Sequence, residues 1–283
     1  MTALRERFRA LHESGTFLLP NPWDVGSARL LQRLGFPALA TTSSGLAASL
    51  GKRDQQVTRE ELVAHVAAVA AAVGIPLSVD AERCFADSPA GIAETVDLLA
   101  EAGAAGISIE DYDPAAGRIE TVAAGVERVA AAAEACARHG IVLTARAENH
   151  LYGHDDLDDT IGRLRAYRAA GADVVYAPGL RTPVDIARLV QAVPAPVNVL
   201  AVAGAPSVPE LAKLGVRRVS TGGALAWAAY GAIREAAREL QQSGTTTFRA
   251  GALTPDEVDA AFGPRGNPAG TGTPDPGAAV TRP

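Results

Sequence analysis

The chain has 283 residues, of which 48% are hydrophobic, and it carries a formal net charge of −6. This length is enough to bury a substantial core, and an acidic chain with no run of Lys or Arg is a poor candidate for binding nucleic acid or an anionic membrane. No uninterrupted apolar stretch reaches the roughly 18 residues that would suggest a membrane span. Cys84 and Cys136 give neither a disulfide framework nor a paired metal motif. We therefore expect a cytoplasmic enzyme or binding protein.

Eight short, nearly continuous apolar runs follow one another along the chain, as is typical of parallel strands buried on both faces. They cover residues 17–20, 38–42, 76–80, 106–110, 141–146, 173–176, 196–200 and 217–220. Helical segments alternate with them, over 24–34, 58–73, 89–103, 121–139, 155–170, 182–193, 207–214 and 223–243. Several of these segments begin at a capping residue and end at a glycine just before the next strand.

Eight β/α units within about 240 residues have the count and size of a closed (β/α)8 TIM barrel. A doubly wound open sheet is the alternative, but it would concentrate the candidate site residues at one switch point instead of spreading them over many strand ends. We therefore predict an α/β fold with a barrel over 1–244 and a C-terminal helical extension over 245–263. The Gly/Pro-rich tail over 264–283 cannot bury a core and is predicted to be disordered.

Three consecutive predicted strands end in acidic residues, where barrel enzymes place their catalytic groups. Asp80 and Glu82 share a face of the extended chain, Glu110 arrives from the next strand, and Glu148 follows the strand after that. Oxygen ligands from different strands suit a hard ion such as Mg²⁺, with Mn²⁺ as its substitute. The alternative is that these acids cap the following helices or pair with Arg146.

Two further strand ends carry groups suited to an anionic substrate. Arg146 ends the fifth predicted strand, and a guanidinium holds a carboxylate or phosphoryl group by two hydrogen bonds. Its alternative role is a structural ion pair with Glu110 or Glu148. Ser44-Gly45-Leu46 offers a hydroxyl and backbone N–H groups in a predicted turn that would cradle an oxyanion.

Two other barrel chemistries can be weighed from the same positions. The only lysines, Lys52 and Lys213, end no predicted strand, so a Schiff-base aldolase is not expected. Segment 220–223 reads Ser-Thr-Gly-Gly, at a place where barrels often hold phosphate. A barrel enzyme acting on a phosphorylated small molecule is therefore an alternative to metal-assisted enolate chemistry.

These strand ends resemble those of the isocitrate lyase/phosphoenolpyruvate mutase superfamily over roughly residues 17–240. Segment 44–54, SGLAASLGKRD, is similar to that family's SGL…S.G..D motif, and 80–82, DAE, stands where the family has D-x-D or D-x-E. Segment 106–111, GISIED, matches G-x-x-I-E-D, and 145–148, ARAE, matches A-R-x-[DE]. Several matches in the same order make the superfamily assignment more specific than any single motif.

The resemblance implies that Asp80 binds Mg²⁺ most directly, while Glu82 and Glu110 hold its waters. It also implies that Asp54 lies on a mobile loop near the reacting centre. In this interpretation the catalytic residues are Arg146, Asp54 and Glu110, and they act through an enolate that the metal stabilises.

On the substrate side, the resemblance implies that Ser44 and the N–H groups around Gly45 and Leu46 hold the substrate carboxylate. Arg146 would then hold the far end of the substrate or the leaving group. Asn198 and Tyr176 are expected to line the cavity. Members of the superfamily are usually tetramers that exchange a C-terminal helix, and the segment after about residue 223 is expected to form a homotetramer in this way.

The sequence departs from the family at the loop that supplies the general acid of isocitrate lyases. The family's K-[KR]-C-G-H loop is replaced by residues 112–118, YDPAAGR, which have no Cys or His, and the mutase K-T-N-S loop is absent too. Cys84, His150, His154 and Tyr176 are the remaining candidates for proton transfer, although a plain loop thiol and solvated loop histidines are the simpler interpretations.

We therefore expect a Mg²⁺-dependent lyase that forms or cleaves a C–C bond alpha to a 2-oxo or 2-hydroxy carboxylate. Its substrate would be a small carboxylate that resembles methylisocitrate, dimethylmalate or oxaloacetate. A phosphonopyruvate-type P–C bond enzyme is a further alternative, and a barrel that keeps the acids as a relic site is the non-catalytic one.

Overall fold

The computed structural model describes residues 1–263 of the chain. The strands within this part are β1 (Phe17–Leu19), β2 (Leu39–Ala40), β3 (Leu77–Asp80), β4 (Gly106–Glu110), β5 (Tyr112–Asp113), β6 (Arg118–Ile119), β7 (Val142–Arg146), β8 (Val174–Tyr176), β9 (Val197–Leu200) and β10 (Arg218–Ser220). Strands β5 and β6 form an antiparallel hairpin. The other eight form one parallel sheet in the order β1-β10-β9-β8-β7-β4-β3-β2.

The two edge strands of this sheet meet, so that the sheet is nearly closed. The Ala40 N–H at the end of β2 donates to the carbonyl of Pro20, which follows β1, over 3.1 Å. In chain order each barrel strand is followed by at least one helix, and the helices surround the strands. The predicted (β/α)8 barrel is confirmed.

The helices are α1 (Thr2–Ala10), α2 (Val25–Arg33), α3 (Ser43–Ser49), α4 (Arg59–Ala72), α5 (Pro89–Glu101), α6 (Val122–His139), α7 (Leu157–Ala169), α8 (Pro183–Ala192), α9 (Val208–Lys213), α10 (Ala224–Gln242) and α11 (Pro255–Phe262), with a short 3₁₀ helix at Thr247–Gly251. Side chains of Asp24, Thr58 and Ser88 cap α2, α4 and α5 as predicted. No helix between residues 1 and 263 is long and apolar enough to cross a bilayer.

Three elements lie outside the sequence-based prediction: α1, α3 and the β5–β6 hairpin. The most consequential is α3, because an open turn is predicted at Ser44-Gly45-Leu46 and the structure corrects this to the first turn of a helix. Thr42 caps that helix by accepting from the Gly45 N–H at 3.5 Å. A Cβ at position 45 would lie 2.6 Å from Thr42 and 2.9 Å from Trp23, so close packing requires glycine there.

Strand residues alternate between the outer helices and the barrel axis. The outward set is apolar and packs under the helices, as Ile107 and Val199 do. The inward set includes apolar residues near the N-terminal ends of the strands, where Phe17 and Val142 lie. Above them the axis is lined by polar side chains: Ser78, Ser108, Thr144, Asn198, Arg218 and Ser220. The part of the barrel interior directly below the C-terminal mouth is therefore lined mainly by polar side chains.

Helix α1 closes the N-terminal end of the barrel. Its Phe8 is fully buried, and a Cβ on Gly106 would lie 2.4 Å from the Phe8 ring. The ring therefore occupies the space that any other residue at position 106 would need. Arg5 fixes the helix from outside, because its guanidinium donates to the carbonyls of Ala100, Ala104 and His139.

The C-terminal extension begins after the barrel. Only Ala226 is buried along the 19 residues of α10. Helix α11 returns to the barrel and packs on α2, where Arg29 donates to the Gly263 carbonyl over 2.6 Å. A helix therefore forms within the predicted extension over 245–263, with Thr254 as its cap. The predicted disordered tail over 264–283 lies outside the described residues.

Candidate active site

Arg146, the last residue of β7, lies among the acids at the C-terminal end of the barrel. Its Nη1 is 2.8 Å from Asp80 Oδ1, its Nη2 is 3.3 Å from Glu110 Oε2, and its Nε is 2.7 Å from Glu148 Oε1. The three neighbouring strands β3, β4 and β7 place these groups side by side. Burial opposes the charge of Arg146, but the three carboxylates outweigh it and raise its pKa. The ion pairs given above as the alternative interpretation are therefore present, and Asp80 takes part as well.

Glu82 extends this cluster and differs from the other acids. Its backbone φ is 47°, in the region that non-glycine residues rarely occupy, and its side chain is buried. Within residues 1–263 no group donates a hydrogen bond to its carboxylate. Burial, followed by the neighbouring Asp80 and Asp54, raises the pKa of Glu82 to about 8. Asp54 itself lies beside Ser43 and Asp80, and loss of hydration raises its pKa.

The donor set can be tested against the predicted Mg²⁺. Asp54, Asp80, Glu82, Glu110 and Glu148 face a single guanidinium, and such an excess of buried carboxylate is stable only with a cation or protons. Among residues 1–263 no three Asp, Glu, His or Cys side chains are arranged to hold an ion as they lie. The chemistry of these oxygens fits a divalent cation, while the geometry requires Arg146 to release at least one carboxylate.

Three segments close over the cluster. Gln55, from the loop after α3, donates from Nε2 to Glu110 Oε1 over 3.0 Å, and its backbone has a φ of 64°. Tyr112 on the hairpin and Tyr152 on the loop after β7 stack with ring centroids 3.7 Å apart and an interplanar angle of 10°. Burial, and then the nearby Glu110 and Glu148, raise the pKa of the Tyr152 phenol.

Asp111 fixes the loop behind the site. Its carboxylate accepts from the Glu148 N–H over 2.8 Å, from the Tyr167 hydroxyl over 2.7 Å and from Arg163 over 3.2 Å. It is 2% exposed, so it acts on the site only through these partners. Asp111, which follows Glu110 in the GISIED segment, therefore holds the Glu148 backbone in place. It thereby also holds the Arg146–Glu148 ion pair.

A cavity runs from this cluster into the barrel. It is lined by Leu19, Asn21, Ala40, Thr41, Ser78, Val79, Asp80, Ser108, Arg146, Tyr176, Asn198, Arg218, Ser220 and Gly222. The Arg146 guanidinium lies 5.4 Å above the Tyr176 ring centroid. Both ends of the Asn198 amide are hydrogen bonded, to Arg218 and Ser220. Asn198 and Tyr176 therefore line the cavity, as the sequence predicts.

The predicted carboxylate-binding segment lies beside the cluster, since the Ser43 N–H donates to Asp80 Oδ2 over 3.1 Å. Within the helix, the Leu46 N–H donates to the Thr42 carbonyl, and the Ser44 hydroxyl pairs with the Thr42 hydroxyl at 3.2 Å. The structure therefore brings Ser44 and Gly45 next to the metal candidates, while the N–H groups of Gly45 and Leu46 are already used by Thr42.

Other candidates lie apart from the acids. Cys84 is fully buried, and burial raises the pKa of its thiol to about 12, so it packs as a core residue. His150 pairs with Asp155 at 3.4 Å. In segment 220–223, the Thr221 and Gly222 N–H groups both donate to the Asn21 side chain over 2.9 Å. These amides are therefore not free to cradle a phosphate.

Some residues of the site carried little signal in the sequence. Gln55, Tyr112 and Tyr152 belong to loops, and their meeting depends on tertiary contacts between segments that lie about 40 to 100 residues apart. Asp111 is the exception, because it ends the matched GISIED segment.

Comparison with known proteins gives relatives for this arrangement. Residues 8–241 match the family model described as phosphoenolpyruvate phosphomutase. An uncharacterized protein of Mycobacterium tuberculosis is 38% identical over 224 residues, which cover 76% of this chain and 81% of that protein.

Solved structures superpose over nearly the whole described fold. A candidate lyase/mutase from Burkholderia cenocepacia J2315 has a TM-score of 0.89 at 50% identity, covering 93% of this chain and 96% of the other. Oxaloacetate acetylhydrolase with its product oxalate has a TM-score of 0.81 at 27% identity, covering 91% and 93%. The 2,3-dimethylmalate lyase, a member of the PEP mutase/isocitrate lyase superfamily, has a TM-score of 0.80 at 27% identity, covering 93% and 94%.

Proposed function

Because this chain belongs to the phosphoenolpyruvate phosphomutase family of the isocitrate lyase/PEP mutase superfamily, we propose that it is a Mg²⁺-dependent enzyme that cleaves or forms a bond alpha to a 2-oxo or 2-hydroxy carboxylate. The predicted superfamily, and an enzyme whose relatives are lyases and mutases, are confirmed. The metal, the substrate and the bond are the proposal.

The observation that carries the proposal is the excess of buried carboxylate around Arg146. Asp80 and Glu110 share that guanidinium, and Glu82 has no hydrogen-bond donor within residues 1–263. Asp80, Glu82 and Glu110 would hold Mg²⁺, or Mn²⁺ in its place. When bound, the ion would act as a Lewis acid that stabilises negative charge on an enolate oxygen.

The residues of the chain would supply orientation and exclusion of water. Arg146 presents a fixed cation in the same cavity wall, where it would bind the developing anion or a departing carboxylate. The α3 end near Ser44 and Gly45 would receive the carboxylate that the substrate keeps. The stacked Tyr112 and Tyr152 would cover the reacting centre, in place of the polar loop that isocitrate lyases use.

A substrate of the oxaloacetate or alkyl-malate class fits this description. Both carry a carboxylate beside a carbonyl or hydroxyl carbon, and the cavity within the strands is small. The relatives that act on oxaloacetate and on 2,3-dimethylmalate support this class. Asp54, whose raised pKa leaves it able to accept and return a proton, is the proposed acid–base residue beside Asp80.

The test is turnover of oxaloacetate, 2,3-dimethylmalate, 2-methylisocitrate and phosphonopyruvate with Mg²⁺ or Mn²⁺, followed by product analysis. Phosphonopyruvate distinguishes P–C bond chemistry. We expect one of the carbon acids to be turned over, and EDTA to abolish the reaction. Calorimetry with oxalate, an enolate mimic, should show binding in the presence of Mg²⁺ only.

Matched variants make this test specific. Asp80→Asn should abolish turnover and metal-dependent oxalate binding, whereas Asp97→Asn, which alters an acid on the outer surface paired with His139, should leave both unchanged. Full oxalate binding by Asp80→Asn would contradict the metal assignment. Turnover of a phosphate ester with no oxalate binding would favour the phosphorylated-substrate alternative.

We also propose that the chain forms a homotetramer that exchanges α10. This helix exposes Trp227, Ile233 and Leu240, with 53%, 63% and 49% of their surface accessible. Exposed apolar side chains of this size are stabilised when a partner subunit covers them. Ile233→Asp should lower the mass measured by light scattering, while Gln241→Asp on the same helix should not. A monomeric wild-type protein would contradict the exchange.

A further inference from the structure

Arg218 is a buried cation inside the barrel with no counter-charge. It begins β10, points to the barrel axis and is 3% exposed. No carboxylate within residues 1–263 forms an ion pair with it, and the one group that favours its charge is the Tyr176 phenol, so desolvation lowers the pKa of Arg218 to about 10. Buried charges are normally paired, so this one requires an explanation.

The contacts of Arg218 are neutral. Its Nε donates to Asn198 Oδ1 over 2.9 Å and its Nη2 to Thr144 Oγ1 over 3.0 Å, while Nη1 lies 3.4 Å from His12 Nε2. A guanidinium has five N–H groups, so these bonds leave two of them free. The three partners fix the plane of the guanidinium without neutralising it.

The free side of Arg218 borders the cavity below the acid cluster. That cavity has a volume of about 50 Å³ and is lined by Arg218, Asn198, Ser220 and Asp80. A water molecule requires a cavity volume of roughly 10–15 Å³, so the space admits a few waters or one small ion. The acids at its upper end are engaged by Arg146 and do not reach Arg218.

We propose that Arg218, held in place by Asn198 and Thr144, forms a binding seat for one small monoanion of carboxylate or halide size. The anion supplies the charge that the protein itself lacks at this depth. Two sources share this chemistry: a free ion from solution, or a carboxylate of the substrate that reaches down from the mouth. The first source is independent of the function proposed above, and the second rests on it.

Thermal unfolding in sodium formate, sodium chloride and sodium gluconate at constant ionic strength tests the seat. Gluconate is too large for the cavity and serves as the reference salt. The wild-type protein should gain about 5–10 °C in Tm at one hundred times the formate Kd. Arg218→Met should show no such gain. Arg217→Met, which alters the exposed neighbour that binds the Gly15 carbonyl, should respond like wild type.

Bromide provides a test that needs no variant. Crystals of the wild-type protein in sodium bromide should give an anomalous peak within hydrogen-bond distance of the Arg218 guanidinium. This measurement decides the question if Arg218→Met does not fold. Absence of the peak at saturating bromide, or equal formate responses in wild type and Arg218→Met, would overturn the proposal.

The source of the anion is separated by competition. If the seat takes a substrate carboxylate, formate should raise the Kd of oxaloacetate or of the turned-over acid in wild type but not in Arg218→Met. If it takes a free ion, formate should raise Tm and leave that Kd unchanged. Because the Tm and bromide measurements involve no turnover, failure of the proposed reaction would leave them interpretable.

Discussion

The two levels of the barrel interior have opposite charge imbalances. At the C-terminal mouth, Arg146 is shared among three carboxylates and Glu82 has no donor within the described chain. One level below, Arg218 has only neutral partners. A barrel built for stability alone would pair the surplus acids with the surplus arginine. Their separation is the basis of the two proposals made above, a cation bound at the mouth and an anion bound below it.

The two ends also differ in how they are closed. At the N-terminal end, Phe8 packs on Gly106 with no polar group between them. At the other end the closing loops contain non-glycine residues in the left-handed region, including Gln55 and Glu82. Packing of this first kind contributes stability, while strained loops are typical of sites that bind and release ligands.

The largest effect on turnover and stability is expected from a substitution at the C-terminal mouth of the barrel. Arg146→Met would leave Asp80, Glu110 and Glu148 buried and unpaired, so we expect turnover to fall by about 10²–10³-fold and unfolding free energy to fall by about 3–5 kcal/mol. Steady-state kinetics and urea unfolding measure the two losses. Arg188→Met, which removes an exposed pair with Asp158, is the control and should change stability by less than about 1 kcal/mol. Wild-type turnover in Arg146→Met would contradict a functional role for Arg146 at the mouth of the barrel.

At the closed end, the expected effect is on stability alone. Phe8→Ala should cost about 3–5 kcal/mol in urea unfolding and leave KM unchanged. Gly106→Ala should destabilise the wild type, and less so the Phe8→Ala background, where the ring that blocks a Cβ is gone. Gly162→Ala, on a helix with open space around it, is the matched control. An altered KM in Phe8→Ala would show that the two ends are coupled.

The pH dependence of stability provides a further test of the lower level of the barrel, because His12 is buried there beside Arg218. Burial, and then the Arg218 charge, lowers the pKa of His12 to about 3, from an ordinary value of 6.5. The unfolded chain therefore binds the extra proton between these values. Stability should be complete above pH 6.5 and should decline toward pH 3, by up to about 1.4 kcal/mol per pH unit from this group. Urea unfolding from pH 7 to 5 measures this slope, which His12→Gln should reduce and His154→Gln should not.

The smallest effect concerns the aromatic cover. Tyr152→Ala removes the stack on Tyr112. We expect a loss of about 1 kcal/mol of interaction free energy and a KM change of about fivefold. Tyr152→Phe keeps the ring and should preserve KM. If Tyr152→Phe instead lowers kcat by a factor of ten or more, the phenol takes part in proton transfer and is more than a cover.

The sequence was most informative where each element has local signals. The strands and helices of the barrel follow apolar runs and caps such as Thr58, which act within a few residues. Helix α1 has one buried side chain, Phe8, and its position depends on Gly106, nearly 100 residues away. Contacts of that kind leave no trace in local periodicity.

The site follows the same division. Asp80, Glu82, Glu110 and Arg146 could be predicted because strand order and strand ends place them together. That Arg146 contacts three acids at once, and that Arg218 lies inside the barrel without a carboxylate, depends on barrel stagger and side-chain reach. Alternation along one strand gives the face of a residue but not its height along the axis.

The pairing of β1 has a consequence for synthesis of the chain. Its strand partner is β10, with Phe17 opposite Arg218, and Thr16 adds a hydrogen bond to the Val216 carbonyl. A ribosome that has made the first 200 residues has therefore produced seven strands of the sheet but not β10, the strand that pairs with β1. The first strand to emerge must wait for a strand that is made about 200 residues later, so the barrel closes late in synthesis, and the open seam is the surface that a nascent chain has to keep from its neighbours.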